Sequence, residues 1–257
     1  MPGVVAVQLQ WKYEPANYLE EPIVRNFPGG TLRIEGGLAL ATLDLDSYEA
    51  EPELCEKLAE VVESQLRAAQ IFSHMRYDLG KPSRTDLRED GTKHYYLEVE
   101  PMVMTMSVGA ADLVVKDKDG NIVSCTKTER LDKQNRYASL IERFRRSDQT
   151  LDRMLLSYAE SVRDPDNELI HLYEVRDALA ANFGSKNKAV SQLGINHRTW
   201  DAIGELANHR PLRQGRHRGK AAGSLRDADA SELESARKMV AQLIERYLDY
   251  LERNEIE

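Results

Sequence analysis

Residues 208–220 hold the side chains of this chain that are best suited to bind and act on an anion. The segment has five cations, two imidazoles and no acid, namely Arg210, Arg213, Arg216, Arg218, Lys220, His209 and His217. Like charges at this density repel one another unless an anion offsets them. An arginine can grip a phosphate through two hydrogen bonds, and a histidine exchanges a proton near neutral pH. The segment therefore predicts a phosphate-binding site, and a solvated basic loop is the alternative interpretation.

The formal net charge of −8 hides this local excess of positive charge, because the charges are unevenly distributed. Residues 1–130 carry 14 basic and 22 acidic side chains, whereas residues 131–257 carry 21 of each. Within the second half, residues 185–226 hold nine basic side chains and only two acidic ones. Such an excess is the electrostatic footprint expected of a nucleic-acid-binding surface.

Several other kinds of site are excluded by the residue types present. Cys55 and Cys125 are too few for a disulfide framework or for a zinc site. No glycine-rich phosphate loop is present, and we expect no cofactor. We also expect no metal, because the His-x-x-Glu pair of His171 and Glu174 lacks a third ligand. No apolar run approaches the ~18 residues that a membrane span requires, and the N-terminus lacks the pattern of a signal peptide. These features predict a cytoplasmic protein without membrane contact.

The first half has the alternating pattern of a β-sheet, interrupted by one helix. We predict strands at residues 4–12, 32–35, 38–45, 95–106, 112–115 and 122–126. The apolar residues change to a helical period over 51–75, and a turn is expected at 26–30. Asp119-Gly120 predicts a hairpin between the last two strands. Together these patterns predict a sheet with one covering helix, in a domain of residues 1–130.

The second half has the spacing of an all-α bundle, in a domain of residues 131–257. We predict helices at residues 134–146, 149–163, 167–183, 186–194, 198–208 and 231–253. Ser231 and Glu234 have the spacing of a capping box at the start of the last helix. One apolar stripe follows along that helix, formed by Leu233, Ala236, Val240, Leu243, Tyr247 and Leu251. The fold class predicted for the whole chain is therefore α+β.

The C-terminal helical half, from about residue 150 to 254, resembles a HEPN domain. That family is an all-α bundle marked by an arginine, then four to six residues, then a histidine, beside the last long helix. Arg210 and His217, with six residues between them, fit this pattern. Arg213 has only three residues before His217, although Leu212-Arg213-Gln214 is more similar to the surroundings of the family's arginine. Arg210 is followed by Pro211 where the family usually has a polar residue, so the choice between the two arginines stays open.

The resemblance implies metal-independent cleavage or binding of RNA by a homodimer, in which two copies of the segment face one cleft. His217 would be the acid/base that deprotonates the ribose 2′-OH, and Arg210 or Arg213 would bind the scissile phosphate. The other backbone contacts implied are Asn208, His209, Arg216, Arg218 and Lys220. The products would be a 2′,3′-cyclic phosphate and a 5′-OH, in stress response or phage defence. Many HEPN domains lack nuclease activity, so a non-enzymatic binding or dimerisation module is an alternative.

A further alternative lies just upstream, because residues 188–200 resemble a DNA-binding helix-turn-helix. Leu193-Gly194-Ile195 has the composition of the turn, and residues 196–199 open the second helix, where they would reach the major groove. Two short helices around a glycine also occur in ordinary bundles. If Arg198 and Thr199 pack inside the bundle, no recognition helix exists.

The remaining expectations concern the surroundings of the basic segment. Glu174, Arg176 and Asp177 lie on one predicted helix, from which they are able to face the segment and orient it. The acidic N-terminal domain matches no family pattern. Its charge suggests a protein partner, or the basic segment of another subunit.

Overall fold

The computed structural model describes residues 3–96, 114–116, 122–216 and 223–255. The strands are β1 (Val4–Glu14), β2 (Ile23–Phe27), β3 (Gly30–Glu35), β4 (Leu38–Asp44), β5 (Asp78–Leu79), β6 (Ser83–Arg88), β7 (Lys93–Tyr96), β8 (Val114–Lys116) and β9 (Ile122–Cys125). The helices are α1 (Leu45–Ala50), α2 (Leu54–Ser73), α3 (Thr126–Phe144), α4 (Gln149–Arg163), α5 (Glu168–Asn182), α6 (Lys186–Leu193), α7 (His197–Gly204) and α8 (Ala230–Glu255). A sheet in the first half and helices in the second confirm the α+β class.

One antiparallel sheet contains seven of these strands, in the order β2-β3-β4-β1-β6-β7, with the short β5 also paired to β1. Leu9 of the central strand β1 faces Ala41 of β4 on one side and Arg84 of β6 on the other. The buried residues of β1 alternate along the strand, and they are Val7, Leu9, Trp11 and Tyr13. This period of two places them on one face of the sheet, as the sequence pattern predicts.

The turn expected at 26–30 is confirmed, because β2 and β3 meet there in a hairpin with Phe27 opposite Gly30. The first half departs from the prediction at several other places. The strand β2 itself was not predicted. Leu45 was expected in a strand but begins α1, because Asp44 caps this helix by accepting from the Ser47 N–H at 2.7 Å. The strand β6 consists mostly of polar residues, so an apolar pattern does not detect it. Residues 97–106 of the predicted strand at 95–106 lie outside the described residues.

The contacts divide the chain into two compact units. One contains residues 1–69 and 77–138, and the other contains residues 70–76 and 139–257. The short stretch 70–76, at the end of α2, therefore belongs with the helices. The domain ranges 1–130 and 131–257 stay a prediction about independent folding.

In the helical unit, α5 packs against α4 and α8. The predicted stripe of α8 is confirmed for Ala236, Val240, Leu243 and Tyr247, all of which are buried. Leu233 and Leu251 at its two ends are only half-buried. Among the helices of the described ranges, none combines the length and the apolar character needed to cross a membrane.

The capping box of α8 lies two residues earlier than predicted. Asp229 accepts from the Glu232 N–H at 2.8 Å, and the Glu232 carboxylate accepts from the Asp229 N–H at 3.0 Å. Glu234 instead pairs with Lys238 one turn further along the helix. The earlier pair is preferred because arginines surround Glu232, as described below, and these hold its carboxylate at the end of the helix.

Candidate functional site

The helix α7 ends in a π-helical turn, Glu205–His209, directly before the basic segment. The N–H of Arg210 bonds to the carbonyl of Glu205 at 3.2 Å, which closes this wider turn. Pro211 has no N–H, so it cannot bond to the carbonyl of Ala207 as a helical residue would. That carbonyl accepts instead from the N–H of Arg216 at 2.7 Å. The proline that departs from the family pattern therefore ends the helix and makes the chain fold back on itself.

Between Pro211 and Arg216 the chain forms a tight turn with one apolar anchor. Leu212 is 1% exposed, and its carbonyl accepts from the Gly215 N–H at 3.1 Å. A Cβ at Gly215 would lie only 3.0 Å from the Ala207 carbonyl oxygen and 3.2 Å from that of Leu212. The close approach of three backbone segments therefore requires glycine at this position.

The turn is also bonded to the chain that leads into α8. The N–H of Arg213 donates to the Arg226 carbonyl at 2.9 Å, and the N–H of Arg226 donates to the Pro211 carbonyl at 3.0 Å. The side chain of Gln214 accepts from the Ala228 N–H at 3.0 Å. These bonds fix the backbone from which the arginines of the segment project.

Arg210 and Arg226 share one carboxylate, that of Glu232. Arg226 donates to both of its oxygens at 2.7 Å, and Arg210 donates to Oε1 at 2.5 Å. The Glu232 side chain is 8% exposed. Hydrogen bonds, first from Arg226 and then from the Asp229 N–H and Arg210, outweigh burial and lower the pKa of Glu232 to about 2.

Arg216 is held against the helix α5. Its Nη1 lies 3.1 Å from Asp177 Oδ2, and its guanidinium carbon lies 4.4 Å from the centre of the Tyr173 ring. Arg176 contacts the same ring at 4.0 Å and bonds to the carbonyl of Trp200 in α7. Asp177 contacts the segment as expected, since it pairs with Arg216. The Arg216 side chain is thus held against α5, and Arg176 links the same ring to α7.

Arg213 is the most exposed of the described arginines in the segment. Its side chain is 64% exposed, and its Nε lies 3.9 Å from the equally exposed Asp227, beyond hydrogen-bonding distance. Backbone bonds hold the residue while its guanidinium faces water. Of Arg210, Arg213 and Arg216, it is therefore the arginine most accessible to a phosphate.

The other predicted site residues are placed as follows. Asn208 is half-buried, and its Oδ1 is buried without a hydrogen-bond partner among the described residues. His209 is exposed. His217, Arg218 and Lys220 lie outside the described residues. The candidate acid/base is thus known only by its position in the sequence, directly after the anchored Arg216.

Sequence reasoning missed three residues of this site, namely Arg226, Asp227 and Glu232. Only Glu232 carries a sequence signal, because Asp229 and Glu232 have the spacing of an acidic capping pair. Their approach to the segment depends on the fold-back after Pro211, which spacing along the chain does not reveal.

No three His, Cys, Asp or Glu side chains within the described ranges are arranged to hold a metal ion. His171 and Glu174, which share one helix, are 3.5 Å apart, and Asp164 lies 3.3 Å from the other nitrogen of the ring. Glu174 also accepts from the Ser157 hydroxyl. These contacts make Glu174 a partner of His171 and Ser157, whereas Asp177 is the α5 carboxylate that contacts the basic segment.

The helices α6 and α7, predicted as a helix-turn-helix, are joined by a tight turn. Gly194 ends α6 with a φ of 60°, and Asn196 begins α7 by accepting from the Arg198 N–H at 2.8 Å. Arg198 is exposed, whereas Thr199 is half-buried. A recognition helix would be excluded if both residues were buried. They are not, so this alternative stays a prediction.

Comparisons of the chain with family models, with curated proteins and with solved structures found no significant match. The function is therefore argued from the side chains themselves.

Proposed function

We propose that the helical half binds RNA through residues 208–220 and cleaves it without a metal ion, in the manner of a HEPN endoribonuclease. The observation that carries the proposal is the exposed Arg213 on a turn whose backbone is bonded on both sides. An accessible guanidinium on a fixed backbone is suited to bind a phosphodiester, because little backbone freedom is lost on binding. The family resemblance adds the setting, stress response or phage defence.

In this proposal Arg213 binds the scissile phosphate and His217 acts as acid/base. His217 removes the proton of a ribose 2′-OH, and the 2′ oxygen attacks the adjacent phosphorus. The bond from phosphorus to the 5′ oxygen breaks, that oxygen takes a proton from water, and His217 returns the proton it removed to the solvent. The products are a 2′,3′-cyclic phosphate and a 5′-OH, and the charge that builds on the phosphate is offset by arginine. A homodimer would place two such segments along one strand.

The activity is tested by incubating the purified full-length protein with RNA in EDTA. We expect the wild type to cleave RNA. His217→Ala should cleave it at least 100-fold more slowly than the wild type, since general acid–base catalysis contributes about 10²–10⁴-fold. The matched control is His197→Ala, which removes an exposed histidine of α7 and should leave the rate unchanged. Equal cleavage by the wild type and His217→Ala would contradict the assignment.

A second candidate function is the binding of duplex DNA by α6 and α7, which the exposure of Arg198 at the start of α7 favours. Reciprocal variants separate the two functions. RNA binding through the segment predicts that Arg213→Ala weakens RNA affinity and Arg198→Ala does not. Sequence-specific DNA binding predicts the reverse on duplex DNA, with RNA left intact.

A further inference from the structure

Arg210, Arg226 and Glu232 form an ion cluster in which two guanidinium groups share one carboxylate. Arg226 binds Glu232 in the bidentate manner, with Nη1 at 2.7 Å from Oε2 and Nη2 at 2.7 Å from Oε1. The Asp229 N–H donates to Oε2 as well. Both carboxylate oxygens therefore accept at least one hydrogen bond before Arg210 is counted.

Arg210 adds a single bond to an oxygen that Arg226 already occupies. Only its Nη1 takes part, and the side chain is 43% exposed. Among the described residues, its Nε and Nη2 have no hydrogen-bond partner. Arg210 thus keeps most of its donors, and its charge is not required to neutralise Glu232.

One further carboxylate, that of Asp229, lies in this cluster. It accepts from the Ser231 hydroxyl at 2.7 Å and from the Glu232 N–H at 2.8 Å, at the start of α8. The positive end of the helix dipole offsets a charge in this place. Asp229 is therefore occupied by the helix and does not compete for Arg210.

We propose that Arg226 is a positioning residue that frees Arg210 to bind an RNA phosphate beside Arg213. Arg226 binds Glu232 and touches no phosphate itself. Without Arg226, Arg210 would be the only guanidinium on a buried carboxylate and would be lost to the RNA. This inference rests on the proposed RNA binding. It extends the site from one arginine to two, Arg210 and Arg213, which lie at the two ends of the turn 210–213.

The test is the salt dependence of affinity for a single-stranded RNA oligonucleotide with 2′-O-methyl groups, which prevent cleavage through the 2′ oxygen. Each phosphate contact on a single strand contributes about 0.7 to the slope of log K against log salt concentration. Arg210→Ala should lower the slope by about 0.7, which corresponds to about a fivefold loss of affinity at 0.1 M salt. Arg226→Ala should cause the same loss.

The decisive variant is Arg226→Ala combined with Glu232→Gln. It removes one cation and one anion, so Arg210 is free again and the net charge equals that of the wild type. We expect the wild-type slope and affinity to return. Glutamine keeps an oxygen for the Asp229 N–H, so the start of α8 is preserved.

Thermal unfolding without RNA provides the control for folding. Arg226→Ala removes two bonds to Glu232 and Arg210→Ala only a redundant one, so Arg226→Ala should lower Tm more. The Arg210→Ala shift should not exceed about 3 °C, the change expected for roughly 1 kcal/mol in a chain of this size.

The outcomes distinguish this inference from the function on which it rests. If the wild type does not bind RNA, the proposed function and the inference both fail. If the wild type binds but the double variant stays as weak as Arg226→Ala, Arg226 contacts the phosphate directly and the positioning role is wrong. A larger Tm loss in Arg210→Ala than in Arg226→Ala would also overturn it.

Discussion

Glu232 accepts hydrogen bonds from two arginines and from one backbone N–H, and these bonds lower its pKa to about 2. The same carboxylate begins α8 and joins Arg210 of the basic segment to Arg226, which precedes α8. The Glu232 carboxylate therefore stabilises the fold. It affects anion binding indirectly, because the arginines that it does not bind stay available to an anion. At the scale of residues, the site contains arginines that are paired with carboxylates and arginines that are available to bind an anion.

We expect the stability provided by Glu232 to be lost in acid. Its folded pKa of about 2 lies below the value of an unfolded glutamate, about 4.3. The contribution is therefore fully present above about pH 4.5 and disappears as the pH falls towards 2. Urea unfolding should show Glu232→Gln less stable than the wild type at pH 7, with a difference that shrinks below pH 4.

The matched control for this titration is Glu234→Gln. Glu234 forms an exposed pair with Lys238 on the same helix, and solvent screening leaves such pairs little effect on stability. A pH-dependent difference as large for Glu234→Gln as for Glu232→Gln would contradict the special role of Glu232.

The π-helical turn, the fold-back after Pro211 and the start of α8 act together as one element. The Arg216 N–H takes the Ala207 carbonyl that Pro211 leaves unbonded, and two backbone bonds join Pro211 and Arg213 to Arg226 before α8. The arginines then project from a backbone that is ordered before any ligand binds. This order explains how a short, highly charged segment can present a defined surface.

Gly215→Ala tests this element. The new Cβ would press on the carbonyl oxygens of Ala207 and Leu212 at 3.0 and 3.2 Å, and neither is able to yield without a shift of backbone. We expect a loss of about 1–3 kcal/mol in the free energy of unfolding, the usual cost of overpacking, and weaker RNA binding. The control is Gly3→Ala, where the nearest contact is a flexible Glu89 side chain at 3.5 Å. Equal, small effects of both changes would show that the turn is not tightly packed.

The helical unit is tied together by an ion network of residues far apart in the chain. Glu168, 1% exposed, accepts from Arg237 at 2.6 and 2.7 Å, and His74 lies 3.4 Å away. Tyr158, whose ring contacts His74, donates to the carbonyl of Ile71. Burial raises the pKa of Glu168, but hydrogen bonds from Arg237 and His74 outweigh it, and the net shift is downwards. The network holds residues 70–76 to the helices of this unit.

Arg237→Met should therefore destabilise the protein by about 3–5 kcal/mol at pH 7, because it leaves a buried carboxylate without its main partner. The folded pKa of Glu168 should then rise, so that the loss is reduced as the pH falls and the carboxyl takes up a proton. Chemical denaturation across pH 4–8 measures both effects.

Two further variants check this interpretation. Adding Glu168→Gln to Arg237→Met should recover part of the stability, since the uncompensated charge is gone. Lys238→Met, an exposed neighbour on the same helix, should change stability little. A loss in Arg237→Met that is independent of pH would show that packing, and not charge, is responsible.

The local pattern of residues by itself determined the α+β class, most of the helix positions and the place of the basic segment. The span 149–163 matches α4 at both ends, because helical periodicity and the cap at Asp148 are local properties. The sequence also indicated Asp177 as a partner for the segment, since it lies on a well-defined helix.

The tertiary structure alone decided which arginines are held and which are available. Glu232 reaches Arg210, 22 residues away, and Asp177 reaches Arg216, 39 residues away, because the chain folds back after Pro211. The sequence shows how many cations a segment has. How many of their N–H donors stay unbonded depends on which carboxylates the fold places beside them. Contacts between distant parts of a chain follow from packing, and packing is not a property of spacing along the sequence.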